Sequence, residues 1–517
     1  MATYLSPGVY IEEVPAGTRP IEGVGTAIAG FVGFAPTGPI NEPTLVTNWT
    51  QFVGAFGDMV EEFALGKSVY GYFNNGGGRA YIVRLPLPGD GTSASPGLPV
   101  AQLALGNGGK AGGSPAFQVR ALDANSGAIS VDVEPAVGAA PDSNTYDVTV
   151  STDAGASELF TGVTIGAGSK NIAEIINTQS RLIVLEQIDA ATADLTQGLA
   201  TGAVALSIPA GVVVPTVSTA DVVGDAAKRT GFAAFEAHED ITMVLAPDLM
   251  VAHRQGLIDT EGVIAVQSAM LAHCELMGNR MAILDTPAGM NAQQASDWRM
   301  NTTNFDSKFA VLYWPWIEVF DPSVGHDTLF PPSGHIAGMW SRNDNTRGVF
   351  KAPANDVIQG AVGLELAATR GEMDLLNPQG VNSIKSFPGR GIRVWGARTL
   401  SSDAEWRYVN VRRYFNYLEE SILQGTQWCV FEPNDERLWG TIRRTINAFL
   451  ITEWRSGALF GDKPDKAFFV KCDAENNTAE SIDAGMVIIE IGVAPVKPAE
   501  FVIFRLSQFS GGASVSD

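Results

Sequence analysis

The chain has 517 residues, 45% hydrophobic and 17% charged, and its 34 basic and 56 acidic residues give a net charge of −22. That length exceeds a single core and points to roughly three domains, and the ordinary apolar content excludes wholesale disorder. The negative balance disfavours broad nucleic-acid binding, because phosphates would be repelled.

The first predicted element is a strand over Tyr4 to Val14, alternating in character and bounded by Pro7 and Pro15. It has no local partner, so its backbone groups must stay in water or be lent to a neighbour. Thr26 to Phe34 reads as a small-residue strand, ending in the turn Pro36-Thr37-Gly38-Pro39. Asn48 to Phe56 reads as a helix with Asn48 or Thr50 as its N-cap. Ser68 to Asn74 is a second helix, stopped by Asn75-Gly76-Gly77-Gly78, and Ala80 to Leu85 is a strand.

Composition changes at Pro86. Up to about Thr219 the chain is rich in Ala, Gly, Val, Thr and Ser, with short alternating runs at Phe117–Ala121, Ile129–Val133, Tyr146–Val150 and Leu182–Leu185. Turn residues punctuate these runs, the pattern of a small antiparallel β domain. From Gly231 the rhythm becomes α/β. Strands are expected at Ile241–Ala246, Met281–Leu284, Phe309–Trp314 and Ile392–Trp395, with helices at Thr260–Leu276, Gln293–Met300 and Asp356–Thr369. Beyond Ala404 the expected order is helix Val411–Gln424, a strand at Val430 and a long helix Asn434–Gly457. Strands then follow at Ala467–Lys471, Met486–Val493 and Phe501–Leu506, the last before a loose Gly/Ser tail.

Motifs for chemistry are sparse. Gly66-Lys67-Ser68 resembles the end of a phosphate loop, but Glu61 stands where the required earlier glycine should be. Gly106 to Lys110 fails the same spacing and reads as a flexible loop. His238, His253, His273, His326 and His335 form no HxxxH or HxH pair, and adjacent His273 and Cys274 would point about 100° apart on a helix. Cys274, Cys429 and Cys472 are distant and lack a CxxC pair, so three buried thiols in a reducing compartment are expected. No catalytic, cofactor or metal site is expected. No signal peptide and no apolar run of ~20 residues is visible, so cytoplasmic synthesis without membrane insertion is expected. The helix from Asn434 is the exception to this blandness. Leu438, Ile442, Ile446, Phe449 and Leu450 fall on one face, while Arg437, Arg444 and Arg455 line the other with Arg443 at the flank. Such a cationic stripe is either a solvated face or a contact surface.

Several blocks resemble the contractile tail sheath protein family. They are Leu5-Ser6-Pro7-Gly8-Val9-Tyr10-Ile11-Glu12-Glu13, Ile28 to Gly33 with Gly38-Pro39, Arg280 to Asp285, Val394 to Leu400, Tyr408 to Arg413, and Gln427 to Gly457. They occur in the family's order and cover residues 1 to about 85 and about 225 to 517. Residues between about 88 and 220 match nothing nameable, as suits a variable outer insertion.

The resemblance implies a multidomain α+β or α/β protein. Its parts would be an N-terminal linking extension (1–20), a split mixed-sheet core (21–87 and 221–400) and an inserted β-rich outer domain (88–220). A tube-proximal α+β domain (401–497) and a C-terminal linking strand and tail (498–517) would follow. It implies a structural subunit polymerising as stacked six-fold rings around an inner tube and contracting to drive that tube through a target envelope. Val9, Tyr10, Ile11, Glu12 and Val14, with Phe501, Val502, Ile503, Phe504 and Leu506, would exchange strands between subunits. Arg437, Arg443, Arg444 and Arg455 would meet acidic groups on the tube. Implied partners are further copies, the tube protein, and baseplate and tail-terminator or cap proteins, with no nucleic acid; the chain would be part of a phage tail or tail-like particle. Two alternatives are a nucleotide- or metal-dependent α/β enzyme with a β insertion and one component of a type VI secretion sheath. Both end-motifs lie on one chain, which favours a single-component sheath.

Overall fold

In the computed structural model, Ile28–Gly33 (β1) is buried along its whole length and is an interior strand of an eight-stranded sheet. Both faces of β1 are covered, which a small-residue, near-continuous apolar run requires in a parallel sheet. The described residues are 20–87, 98–105, 115–124, 127–138, 144–153, 155–166, 168–188, 198–207 and 216–505; the strand expected over Tyr4 to Val14 lies outside them.

Backbone packing divides the chain into two compact units. The larger comprises residues 25–346 and 353–409, and the smaller comprises 1–24, 347–352 and 410–517.

The larger unit holds two hydrophobic cores. Its strands are β1, β2 (Thr44–Val46), β3 (Arg79–Arg84), β4 (Val100–Ala104), β5 (Pro115–Ala121), β6 (Ile129–Pro135), β7 (Thr145–Thr152), β8 (Ser157–Thr164), β9 (Ile183–Gln187), β10 (Gly202–Ala205), β11 (Met243–Leu245), β12 (Met281–Asp285), β13 (Ala310–Trp314), β14 (Ile317–Asp321), β15 (His326–Phe330), β16 (Ala361–Leu364), β17 (Val381–Phe387) and β18 (Gly391–Val394). Its helices are α1 (Trp49–Phe56), α2 (Leu65–Asn74), α3 (Ile172–Gln179), α4 (Thr219–Val223), α5 (Pro247–Arg254), α6 (Thr260–Met277), α7 (Ala292–Asp297), α8 (Ser333–Arg347) and α9 (Arg370–Leu376).

The main sheet runs β18-β17-β13-β12-β11-β1-β3-β2. Its ladders are parallel except for the outermost pairs, β17 with β18 and β2 with β3. The chain moves from β1 to β3 on one side and later to β11 on the other, so the strand order reverses beside β1. In the inserted region β4-β5-β9 and β10-β6-β7-β8 form two antiparallel sheets around the second core. Arg181 Nη1 donates to the Glu365 carbonyl at 2.5 Å and Ala124 N to the Arg254 carbonyl at 2.7 Å, fastening this insert to the main sheet's surroundings.

The α1 N-cap is as expected: Asn48 accepts from Gln51 N. The helix expected over Asp356–Thr369 is absent. That segment carries β16 paired with β14, because Val362 and its neighbours extend beside Ile317 to Val319. The helix starts only at Arg370, where Thr369 and Glu372 form a capping box. The hairpin β14–β15 and the long helix α8 were not foreseen. Helix α8 mixes glycine and polar residues yet is largely buried, so no amphipathic period announces it. It packs tightly on α2, and Cβ atoms added at Gly334 and Gly338 would collide with Ser68 and Tyr72.

The smaller unit contains α10 (Val409–Thr426, of which Val409 belongs to the larger unit), α11 (Glu436–Arg455), α12 (Pro464–Ala467), β19 (Phe468–Lys471), α13 (Ala479–Asp483) and β20 (Glu490–Val493). Its core joins Tyr414 and Leu418 of α10 to Leu438, Ile442, Ile446 and Leu450 of α11. Val430 is not a strand: it follows a short 3-10 turn, Gln427–Cys429, and pairs with no strand among the described residues. Cys274 and Cys472 are buried, whereas Cys429 beside that turn is only half-buried. The strand expected over Met486–Val493 is confined to β20, and residues 501–505 have no regular structure; Leu506 lies outside the described residues.

Gly338→Val places a side chain against the Tyr72 carbonyl and within 2.8 Å of Asn75 Cβ. Overpacking of this kind costs about 1–3 kcal/mol. The variant is expected to melt several degrees below the wild type by calorimetry, and an unchanged midpoint would show that α2 and α8 are not in close contact.

Candidate assembly surfaces

Helix α11 begins at Asp435, which accepts from Leu438 N at 2.8 Å; the expected cap, Asn434, instead accepts from Trp439 Nε1 at 2.8 Å. The apolar face is buried and joined by Trp439, and all four arginines are exposed. Arg443 Nη1 donates to the Cys472 carbonyl at 3.1 Å and Arg444 Nη2 to Thr441 Oγ1 at 3.2 Å. Among the described residues, Arg437, Arg443, Arg444 and Arg455 make no ion pair. The helix therefore presents four exposed cations that pair with no carboxylate among the described residues.

Behind that face the charge is handled differently. Glu453 accepts from Tyr417 at 3.0 Å and Tyr414 at 3.2 Å. Burial raises its carboxyl above the usual range, although the two phenols oppose the shift. The root of the N-terminal segment lies on α10. Ile21 joins the core, Val24 N donates to Ser421 Oγ at 3.1 Å, and a Cβ on Gly425 would meet Ile21 at 2.6 Å. Only glycine lets the segment lie that close.

Strands β19 and β20 form a two-stranded antiparallel sheet. Among the described residues neither has another ladder partner. Phe469 on β19 is exposed, and Phe501, Val502, Ile503 and Phe504 are 72%, 68%, 78% and 84% exposed. Val9, Tyr10, Ile11, Glu12, Val14 and Leu506 fall outside the described residues. An open two-stranded sheet and an apolar, unpaired chain end in one unit are complementary kinds of surface.

The residues around Gly66-Lys67-Ser68 are engaged internally. Lys67 is buried, pairs with Asp321 at 2.6 Å and donates to the Glu61 carbonyl at 3.0 Å. Burial opposes ionisation of Asp321, yet Lys67 and Ser323 hold it below the usual carboxylate range. Where the strand order reverses, an open α/β sheet normally offers its ligand crevice. Here Asp248 accepts from Phe34 N at 2.7 Å and from Ala64 N just before α2. Burial pushes its carboxyl up to about 6. A protein carboxylate thus fills the position that a phosphate would need. At the end of β12, Asp285 accepts from Ser333 N at 2.9 Å at the start of α8, and burial pushes it up to about 7.

His335 is pushed down to about 4 by burial, and His273 to about 4 by burial and Arg280. Among the described residues no three His, Cys, Asp or Glu side chains group as metal ligands. Sequence reading missed Asp248, Asp285, Asp321 and Glu453. Asp248 and Asp321 meet partners 184 to 254 positions away, and no local spacing could announce them.

A chain with an unpaired sheet edge, an exposed apolar end and an uncompensated cationic helix has the surfaces of an assembling structural subunit. The chain belongs to the phage tail sheath family. Residues 230–400 match the phage tail sheath protein central domain and 401–509 the phage tail sheath C-terminal domain, together more than half of the chain. It is 25% identical to the tail sheath protein of Burkholderia phage BcepMu, over 98% of this chain and 96% of that one. Its fold is similar to that of the anti-feeding prophage helical sheath in the contracted state, with TM-score 0.58, 24% identity, and 98% and 100% of the two chains covered. It is also similar to the contracted sheath of the extracellular contractile injection system PVC, with TM-score 0.57, 22% identity, and 98% and 99% covered.

The buried carboxyl of Asp285 sets a pH dependence. Its folded value, about 7, lies above the ordinary 3.8, so the folded state holds a proton that the unfolded state has released. Stability from this group is complete below the ordinary value and is lost as pH rises toward 7. Asp285→Asn keeps the acceptor for Ser333 N and removes the titration. The variant should therefore gain on the wild type in melting temperature between pH 5 and pH 7.5. A constant offset across that range would refute the assignment.

Proposed function

We propose that the chain is the sheath subunit of a contractile injection machine, a phage tail or tail-like particle. Copies stack as six-fold rings around an inner tube and contract to drive it through a target envelope. The observation that carries this reading is a two-stranded β19–β20 sheet and, in the same unit, an exposed C-terminal segment unpaired among the described residues, in a chain alike along nearly its whole length to a tail sheath protein. The terminal segments, through Val9 to Val14 and Phe501 to Leu506, pair with sheets of neighbouring copies. Backbone ladders keep the subunits connected while their globular parts rotate and repack as rigid bodies.

The four arginines of α11 contact acidic groups of the tube. Exposed pairs of this type contribute ~0–1 kcal/mol each and weaken with salt, which suits a sheath that must release its tube. The baseplate and a terminal cap protein bound the polymer. Contraction converts free energy stored during assembly, so the role is structural rather than enzymatic. In support, Lys67 and the start of α2, the elements a nucleotide site would use, are engaged by Asp321 and Asp248.

Deleting residues 1–14 is expected to leave a folded chain that forms no sheath when co-expressed with tube and baseplate proteins. Normal sheaths by electron microscopy would sink the strand-exchange mechanism. Replacing Arg437, Arg443, Arg444 and Arg455 by Ala should lower sheath retention on purified tubes by up to about fivefold per arginine at low salt. The difference from wild type should shrink at high salt; equal retention at all salt concentrations would remove α11 from the tube contact.

A further inference from the structure

The β17–β18 hairpin carries a cationic, aromatic surface in a strongly acidic chain. Between Asp374 and Asp403 the sequence contains Lys385, Arg390, Arg393 and Arg398 and no carboxylate. Arg398 is buried and donates to the Asn377 carbonyl at 3.1 Å. The other three cations belong to the hairpin: Lys385 and Arg393 are half-buried on its strands, and Arg390 is exposed in its turn.

Their hydrogen-bond partners are neutral. Arg390 Nη2 donates to Asn355 Oδ1 at 3.3 Å, and Arg393 Nη1 to the Asn355 carbonyl at 2.6 Å. Among the described residues none of the three makes an ion pair. Lys385 Nζ and the Arg390 guanidinium stand 5.6 and 5.3 Å from the centre of the Phe387 ring. That ring packs on Trp395 with centroids 4.7 Å apart, and Trp395 is 42% exposed. Arginine and large aromatic residues are the types enriched where protein surfaces meet, because they combine apolar area with directed charge.

Charge complementarity selects the partner. Copies with a net charge of −22 repel one another, so a homopolymer needs places where cations concentrate and meet the carboxylates of the next copy. We propose that the β17–β18 hairpin, through Lys385, Arg390, Arg393 and the Phe387–Trp395 pair, docks a carboxylate-bearing face of a second copy of this chain. This interface rests on the sheath reading and adds to strand exchange a side-chain contact on the main sheet's edge.

The test uses the full chain co-expressed with tube and baseplate proteins, with the photo-cross-linker benzoylphenylalanine at position 395. Sheath-to-sheath cross-links are expected. Arg390→Glu with Arg393→Glu should lower the amount of sedimentable sheath at least tenfold. The milder Arg390→Gln with Arg393→Gln should assemble at low salt and fail at lower salt concentrations than wild type does. Both variants should keep the wild-type circular dichroism and melting temperature. Cross-links to the tube protein alone, or none, or assembly of the glutamate variant within twofold of wild type, would overturn the proposal while leaving the sheath reading intact. A wild-type chain that stays monomeric beside tube and baseplate would overturn both.

Discussion

The constraint on which the smaller unit depends is the backbone hydrogen bonding of a two-stranded ladder. An isolated pair of strands is marginal in water, and needs further strands or a packed helix to persist. Strands β19 and β20 receive the helix: the core under α11 includes Phe468 of β19, and Arg443 reaches the carbonyl of Cys472 just past that strand. They do not receive further strands among the described residues. The pair is thus held in shape on one face, and among the described residues no third strand is added to either edge. The apolar residues Phe501 to Phe504 present the opposite condition, being side chains without a core and backbone without a ladder. Each lack is what the other could supply, though not within one copy unless the chain folds back.

The larger unit closes its own valences instead. Its sheet reverses strand order beside β1, a topology that in other α/β proteins leaves a ligand crevice. Glycine at position 33 lets the Asp248 carboxylate approach, since a Cβ there would strike it. The same carboxylate accepts from Phe34 N, and Asp285 plays a similar part for α8 through Ser333 N. Burying such acids is costly, as their raised values record, but the groups they satisfy would otherwise be orphaned. A body closed in this way suits rigid rotation better than ligand-driven change.

Much of this was legible in the sequence where periodicity or chain punctuation carried it. The parallel strands read as apolar runs, the insert as short alternating strands between turn residues, and α11 as an amphipathic helix with arginines on its outer face. Legibility failed where tertiary pairing overrode local preference. Residues 356–369 carried helix-like spacing but were recruited by β14, and α8 hid its helix because burial on several sides erased any polar stripe. Phe501 to Leu506 read as a strand on composition, yet a strand is a relation between two segments, and among the described residues no second segment pairs with residues 501–505. The terminal and tube-facing roles came from likeness to the family, since nothing in spacing alone names a partner.

The distribution of interaction strengths has a mechanical consequence. Backbone ladders are directional, numerous per length and little affected by salt, so they suit links that must survive a rearrangement. Exposed cations on α11 lie at the other extreme, being weak, screened and non-directional. Glu453, half-buried on α11 itself, accepts from Tyr414 and Tyr417 of α10, so the side of the helix away from the arginines is tied to its own unit. If the arginine face met a partner through buried, hydrogen-bonded pairs, separation would leave uncompensated charge, and release would be slow. All four arginines of α11 are exposed, and among the described residues their contacts are hydrogen bonds to neutral groups, so a partner meeting this face would form pairs of the weak, screened kind.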